Sequence, residues 1–105
     1  MAVKRQAGRY IAKLPVVIKA GEKIVEGTTV RVSEKGFFVR AQQSFLAGSP
    51  VEIILTLTDD MSCRLKGVIK YARRIDFIRR DNGMGIELTE TDERYREFIQ
   101  KVKTE

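Results

Sequence analysis

The strongest constraint on the fold of this chain is an alternation of apolar and polar side chains between residues 51 and 58. Every second position there carries a branched aliphatic side chain: Val51, Ile53, Leu55 and Leu57. Polar residues such as Glu52 and Thr56 occupy most of the positions between them. Because successive side chains of a strand point to opposite faces, this pattern predicts a strand with one face in a core and the other in solvent.

Five further segments have strand character and are separated by turn residues. They cover residues 14–19, 24–33, 36–41, 61–71 and 84–88. In the fourth of them, the side predicted to face the core carries Met61, Cys63, Leu65, Ile69 and Tyr71. Ser33 and Gly36 are the residue types that a type I turn prefers at its first and fourth positions, so a hairpin is expected between the second and third segments.

The C-terminal residues follow a helical period instead. Apolar side chains recur at helical spacing at Tyr95, Phe98, Ile99 and Val102. Thr89 with Asp92 resembles a capping box, so an amphipathic helix is predicted over residues 90–104. A chain of 105 residues is long enough for one domain. The expected fold is therefore all-β: a small closed or nearly closed antiparallel barrel over residues 13–89, with the helix packed against it.

The composition restricts the function more than it identifies it. The net charge of +6 favours an anionic partner such as a phosphate, a nucleotide, nucleic acid or a membrane surface. Catalysis is poorly supported, because the chain has no histidine and Cys63 lies in the inward pattern of a strand. Adjacent acids at Asp59 and Asp60 are typical of a solvated turn, so neither a metal nor a cofactor is expected.

The cellular location is also suggested by what the sequence lacks. No apolar stretch has the length of a membrane span, and the best candidate for a secretory signal, residues 14–20, is short and interrupted by Lys19. A single cysteine cannot form an internal disulfide. These features are typical of a cytoplasmic protein.

A basic stretch, Lys4 to Arg9, precedes the first predicted strand. It carries Arg5 and Arg9, four residues apart, with Gly8 beside the second arginine. A guanidinium can hold a phosphate bidentately, stack on a base, or donate to the O6 and N7 atoms of guanine. The stretch is therefore either a solvated tail or an arm that closes over an anionic nucleotide, and its charge and spacing leave both interpretations open.

A second basic cluster consists of Arg73, Arg74, Arg79 and Arg80. The simpler interpretation is a solvated hairpin edge, where charge discourages the addition of a further strand. The alternative is a surface for single-stranded nucleic acid, but such surfaces usually add aromatic residues for stacking, and only Tyr71 and Phe77 lie close by in the sequence. Nucleic acid is accordingly the weaker prediction.

A series of short motifs resembles the PilZ domain family of bacteria. The chain has Arg5-x-x-x-Arg9, then an aliphatic strand, then Ser33-x-x-Gly36 before an apolar triplet. The likeness continues in sequence order through Leu46-x-Gly48-x-x-Val51, Gly67-Val68 and Gly83-Met84-Gly85-Ile86. Each motif is weak alone, but together they cover nearly the whole chain in the order of the family.

The resemblance implies a six-stranded antiparallel barrel with a C-terminal helix, and a non-enzymatic receptor for the second messenger cyclic di-GMP. In that family the arginines of the R-x-x-x-R motif hold guanine and phosphate, which carries over to Arg5 and Arg9. A second motif, D/N-x-S-x-x-G, contacts the ligand from the barrel surface and carries over to Ser33 and Gly36. The expected switch is an arm, residues 1–12, that orders over the ligand and presents a new surface to a protein partner.

One position departs from the family motif. Where the family has Asp or Asn, this chain has Arg31. An acid can accept from the guanine N1 and N2 donors, whereas arginine can only donate. Arg31 is left with O6 and N7, a base face or a phosphate as its contact. The alternative is an adaptor that has lost cyclic di-GMP and binds proteins only.

Overall fold

The computed structural model describes residues 5–6, 9–76, 78–79 and 81–104. Strands and a helix account for most of them. In chain order the elements are β1 Arg5–Gln6, β2 Arg9–Ile11, β3 Pro15–Ala20, β4 Lys23–Val32, β5 Gly36–Ala41, β6 Pro50–Thr58, β7 Met61–Asp76, β8 Asp81–Glu90 and α1 Glu93–Thr104.

Six of the strands close into an antiparallel barrel. The hydrogen-bonded order is β4, β3, β6, β7, β8, β5, and β5 pairs back onto β4. Closure leaves no free edge within this ring of strands. The predicted six-stranded barrel with a C-terminal helix is therefore confirmed.

The alternation in β6 is confirmed by the packing of its side chains. The four aliphatic residues of that pattern are all buried, with Leu55 fully so. They join the inward side chains of β3, β5, β7 and β8 in one hydrophobic core cluster. Burial of aliphatic and aromatic side chains in this core is the main stabilising contribution to the barrel.

The inward pattern of β7 holds only for its central part. Cys63, Leu65 and Ile69 are buried, but Met61 is 45% exposed and Tyr71 is 43% exposed, so the predicted places of these two in the core were wrong. The pairing of β7 with β8 shifts register between Ile69 and Tyr71. A single-residue irregularity moves the following side chains to the other face of the sheet. The strand then continues to Asp76, beyond the predicted end at Tyr71.

The C-terminal helix starts later than its capping pattern predicted. Strand β8 continues to Glu90, and the Asp92 carboxylate accepts a hydrogen bond of 2.6 Å from the Arg94 backbone N–H. Asp92 is thus the N-cap, and the capping box of Thr89 with Asp92 was wrong. The predicted apolar face does enter the core through Tyr95, Ile99 and Val102, with Phe98 packed beside it. Within the described residues, no helix has the length and hydrophobicity to span a membrane.

The segment before the barrel is joined to it at β4. Strand β2 pairs with β4, and Tyr10 and Ala12 are buried. Buried Thr29 fixes the next residues, because its hydroxyl donates to the Ala12 carbonyl at 2.7 Å and accepts from the Leu14 N–H at 2.9 Å. Residues 9–12, which were assigned to the arm, thus contact the barrel. Residues 1–4 and 7–8 of that arm lie outside the described residues.

Candidate functional site

A concave surface lies where β2, the β4–β5 hairpin, β7 and β8 meet. It encloses about 220 Å³ and brings Arg9, Arg31, Ser33 and Gly36 together. The other lining residues are Val32, Lys35, Phe37, Phe38, Lys70, Tyr71, Gly85, Ile86 and Glu87. Four of the five predicted binding residues therefore share one cavity. Of the fifth, Arg5, the backbone pairs with Tyr10 in the β1–β2 ladder.

The predicted hairpin turn forms one wall of this cavity. The Ser33 backbone N–H donates to the Gly36 carbonyl at 2.8 Å, and the Ser33 hydroxyl donates to the same oxygen at 3.1 Å. The hydroxyl oxygen retains lone pairs that can accept from a ligand. A Cβ on Gly36 would lie 2.0 Å from the Ile86 carbonyl oxygen, so the close approach of these two strands requires glycine.

Two aromatic rings lie side by side on the outer face of the barrel and form what we call the aromatic floor. The floor consists of Phe38 and Tyr71, whose ring centroids are 6.1 Å apart and whose planes differ by 33°. Glycines on β8 make room for them, because a Cβ on Gly83 would lie 2.2 Å from the Phe38 ring and one on Gly85 would lie 2.3 Å from the Tyr71 ring. Phe38 is only 9% exposed and Tyr71 is 43% exposed, so a planar base can stack on the Tyr71 ring, which Phe38 supports from one side.

Two arginines contact the aromatic floor. The Arg31 guanidinium carbon is 5.3 Å from the Phe38 ring centroid, and that of Arg73 is 5.6 Å from Phe38 and 5.7 Å from Tyr71. These distances are within the range of cation–π attraction. Arg73 of the second basic cluster thus borders the cavity region, whereas Phe77 and Arg80 lie outside the described residues.

The charge of the cavity is strongly positive. Among its described lining residues four are cationic, Arg9, Arg31, Lys35 and Lys70, and Glu87 is the one carboxylate. The Lys70 Nζ is 3.8 Å from Glu87 Oε2, and both side chains are more than half exposed. An exposed pair at this distance contributes little stability and can separate easily. The surface is therefore suited to an anionic ligand with flat, stackable parts.

The same turn is attached to the C-terminal helix. The Tyr95 hydroxyl donates to the Ser33 carbonyl at 2.5 Å, and its ring contacts Phe37 edge to face at 6.1 Å. Burial raises the pKa of Tyr95 well above its usual value, and nearby Cys63 adds to the rise. The Tyr95 phenol therefore keeps its proton and remains a hydrogen-bond donor. A second contact joins the helix to the turn, because Lys103 forms an ion pair with Glu34.

The thiol of Cys63 is not an activated nucleophile. Burial raises its pKa to about 11, Asp92 contributes to the rise, and Arg94 opposes it. Because the thiolate is the reactive form, such a cysteine is inert near neutral pH. Its place in the core agrees with the inward position predicted for it.

Several lining residues were not predicted as part of the site. Phe38, Lys70, Tyr71 and Glu87 line the cavity through strand pairings far apart in sequence. A partial signal was present in Gly83-x-Gly85, since glycines inside a strand often mark the close approach of another group. The sequence did not reveal which side chain would approach them.

Comparisons with known proteins agree with this architecture. The model of the PilZ domain matches residues 3–102 of the chain. Among solved structures, the Bacillus subtilis inhibitor of motility (MotI/DgrA) superposes with a TM-score of 0.74 at 19% sequence identity. The match covers 96% of this chain and 50% of that protein, so the chain spans about half its length. No curated protein matched the sequence.

Proposed function

Because the chain belongs to the PilZ domain family, whose members bind cyclic di-GMP or act as its effectors, we propose that it is a receptor for this messenger. The observation that supports the proposal is the cavity, which gathers Arg9, Arg31, Ser33 and Gly36 beside an aromatic floor. Cyclic di-GMP carries two phosphates and two guanines. Those groups match the cationic and the stackable parts of this surface respectively.

Each part of the ligand has a partner in this proposal. Arg9 and Arg31 donate to phosphate oxygens or to guanine O6 and N7, as a guanidinium fork can. The exposed ring of Tyr71 accepts a guanine face by stacking, and Phe38 holds that ring in place from one side. The Ser33 hydroxyl contacts the ligand from the turn, and the absence of a side chain at Gly36 keeps the turn open to it.

The cavity by itself is small for such a ligand. Pockets that enclose a ligand usually measure roughly 300–1,000 Å³, and this one measures about 220 Å³. In the proposed mechanism, Arg5 of the R-x-x-x-R segment completes the site by closing over the ligand. Closure of this segment over the ligand presents a new surface to a protein partner in the cytoplasm, and the entropic cost of holding it there is subtracted from the affinity.

Isothermal titration with cyclic di-GMP tests the proposal directly. We expect the native protein to bind, and Arg9→Ala to weaken binding by about tenfold or more, since hydrogen bonds to charged groups contribute roughly 1.5–3 kcal/mol. The matched control is Arg64→Ala, which removes the same charge from the exposed face of β7 at a different groove. It should bind nearly as the native protein does.

Two results contradict the receptor function. Absence of heat and of thermal stabilisation at millimolar ligand favours a ligand-independent adaptor instead. An equal loss of affinity in Arg9→Ala and Arg64→Ala means that the protein senses net charge and has no specific arginine contact.

A further inference from the structure

A receptor that reads guanine needs acceptors as well as donors. Guanine presents O6 and N7 as acceptors on one edge, and N1–H and the 2-amino group as donors on another. The PilZ motif places an acid or amide at the position of Arg31, and arginine has no acceptor. A different residue must therefore accept from the donor edge if guanine is read there.

The described lining of the cavity offers few acceptors. The Ser33 hydroxyl donates to the Gly36 carbonyl and can accept one or two bonds, and the Tyr71 hydroxyl can accept as well. The remaining titratable side chains there are cations, with the exception of Glu87. A carboxylate is the strongest of these acceptors and the one whose two oxygens can take N1–H and N2–H together.

The position of Glu87 fits this use. It lies on β8 directly opposite Gly36 of the motif, two residues along the strand from Gly85, which lies beneath the Tyr71 ring. The Glu87 side chain is 57% exposed, and its contact with Lys70 is a long one of 3.8 Å. The carboxylate is thus beside the floor and can exchange Lys70 for a ligand at little cost.

We propose that Glu87 determines guanine specificity, its carboxylate accepting from N1–H and the 2-amino group of one guanine of cyclic di-GMP in place of the acid missing at Arg31. The proposal rests on the receptor function above. Arg31, stacked on Phe38, is then left to contact phosphate or the O6 and N7 edge. Glu87 on β8 thus supplies the acceptor that the family motif normally provides, and Arg31 on β4 supplies a donor in its place.

The opposite effect follows if Glu87 is only a charge near the site. A carboxylate beside a dianionic ligand repels it, so its removal would then raise the affinity. If Glu87 reads guanine, its removal lowers the affinity, although the positive charge of the protein increases. The sign of the change therefore separates the two roles.

The experiment measures affinities for two ligands, cyclic di-GMP and its inosine analogue cyclic di-IMP, which lacks the 2-amino groups. Native protein, Glu87→Ala and Glu90→Ala are compared. Glu90 is a matched control, because it lies on the same strand and forms a similar exposed pair, with Lys66 at 3.9 Å, away from this cavity. If Glu87→Ala lowers the thermal midpoint, Glu87→Met is measured instead, since methionine keeps most of the side-chain volume and has no strong acceptor.

We expect the native protein and Glu90→Ala to prefer cyclic di-GMP over cyclic di-IMP by about tenfold. Glu87→Ala should lose about ten- to hundredfold in affinity for cyclic di-GMP, and its preference over the inosine analogue should fall close to one. Equal or tighter binding of cyclic di-GMP by Glu87→Ala overturns the proposal, and so does an unchanged preference. If the native protein binds neither ligand, the receptor function itself fails and this inference falls with it.

Discussion

Glycines decide where aromatic side chains can lie on the outer face of this barrel. Gly83 and Gly85 leave space for the Phe38 and Tyr71 rings directly against the sheet. At Gly36 the neighbour is not a ring but the Ile86 carbonyl oxygen of the paired strand. The cost of adding a methyl group therefore depends on whether that neighbour can move.

Gly36→Ala and Gly85→Ala should differ in what they damage. The Ile86 carbonyl cannot retreat without breaking strand pairing, so we expect Gly36→Ala to lower the free energy of unfolding by at least about 2 kcal/mol. Tyr71 is 43% exposed and its ring can swing away, so Gly85→Ala should cost less than about 1 kcal/mol. It should nonetheless weaken cyclic di-GMP binding, because the floor is lost. Urea unfolding measures the stability of both variants, and ligand titration measures their affinity. Equal destabilisation by the two substitutions would contradict the prediction, because it would show that the two contacts are equally rigid.

At the scale of elements, the attachment of the N-terminal segment depends on one buried threonine. Thr29 is fully buried and bonds both to the Ala12 carbonyl and to the Leu14 N–H. These two bonds join the root of the arm to β4, where the strand also shifts register against β5. Strand β2, which carries Arg9, pairs with the same strand through Tyr10 and Ile11.

Thr29→Val tests this attachment with little change in shape. Valine leaves a buried carbonyl and a buried N–H without their partner, so we expect a loss of roughly 2–4 kcal/mol in the free energy of unfolding. Thr28→Val is the control, since Thr28 is exposed on the same strand and should stay within about 0.5 kcal/mol of the native protein. Chemical denaturation measures both. A similar small effect in the two variants would mean that water replaces the hydroxyl.

The helix α1 is an element that contacts the binding turn as well as the core. Its Tyr95 hydroxyl bonds to Ser33, and its Lys103 pairs with Glu34. Ligand contacts at Ser33 therefore act on a turn whose position depends partly on the helix. The packing of the helix and the shape of the cavity are linked through these contacts.

At the scale of the whole molecule, the buried thiol of Cys63 and the buried phenol of Tyr95 make the free energy of unfolding depend on pH in the alkaline range. The pKa of Cys63 is raised to about 11 from its ordinary value of 9.0, and that of Tyr95 is raised above its ordinary value of 10.0, in both cases chiefly by burial. The unfolded chain therefore releases these protons at lower pH than the folded one. Their contribution to stability is fully present below pH 9 and is lost as the pH rises above it.

The expected result is a free energy of unfolding that falls as the pH rises above 9. The difference in stability between the native protein and Tyr95→Phe should be constant below that pH and should shrink at higher pH, because phenylalanine has no proton to lose. Urea unfolding between pH 7 and 11 provides the measurement. Parallel curves for the two proteins over the whole range would contradict the raised pKa of Tyr95.

Much of the fold follows from local patterns in the chain. Alternation places Val51, Ile53, Leu55 and Leu57 in the core, and the helical period does the same for Tyr95 and Ile99. The type I turn residues Ser33 and Gly36 do close a hairpin. These features depend on neighbours in sequence, which is why the sequence alone determined them. The order of the short motifs likewise indicated the PilZ family.

The composition of the cavity was decided only by tertiary structure. Tyr71 faces outward because β7 shifts register against β8, and a shift of one residue depends on pairing with a distant strand. Glu87 borders the site because closure of the barrel sets β8 beside β5. Local patterns predict which side chains a strand must bury. They do not determine which exposed side chains of different strands meet, because that depends on register and barrel closure.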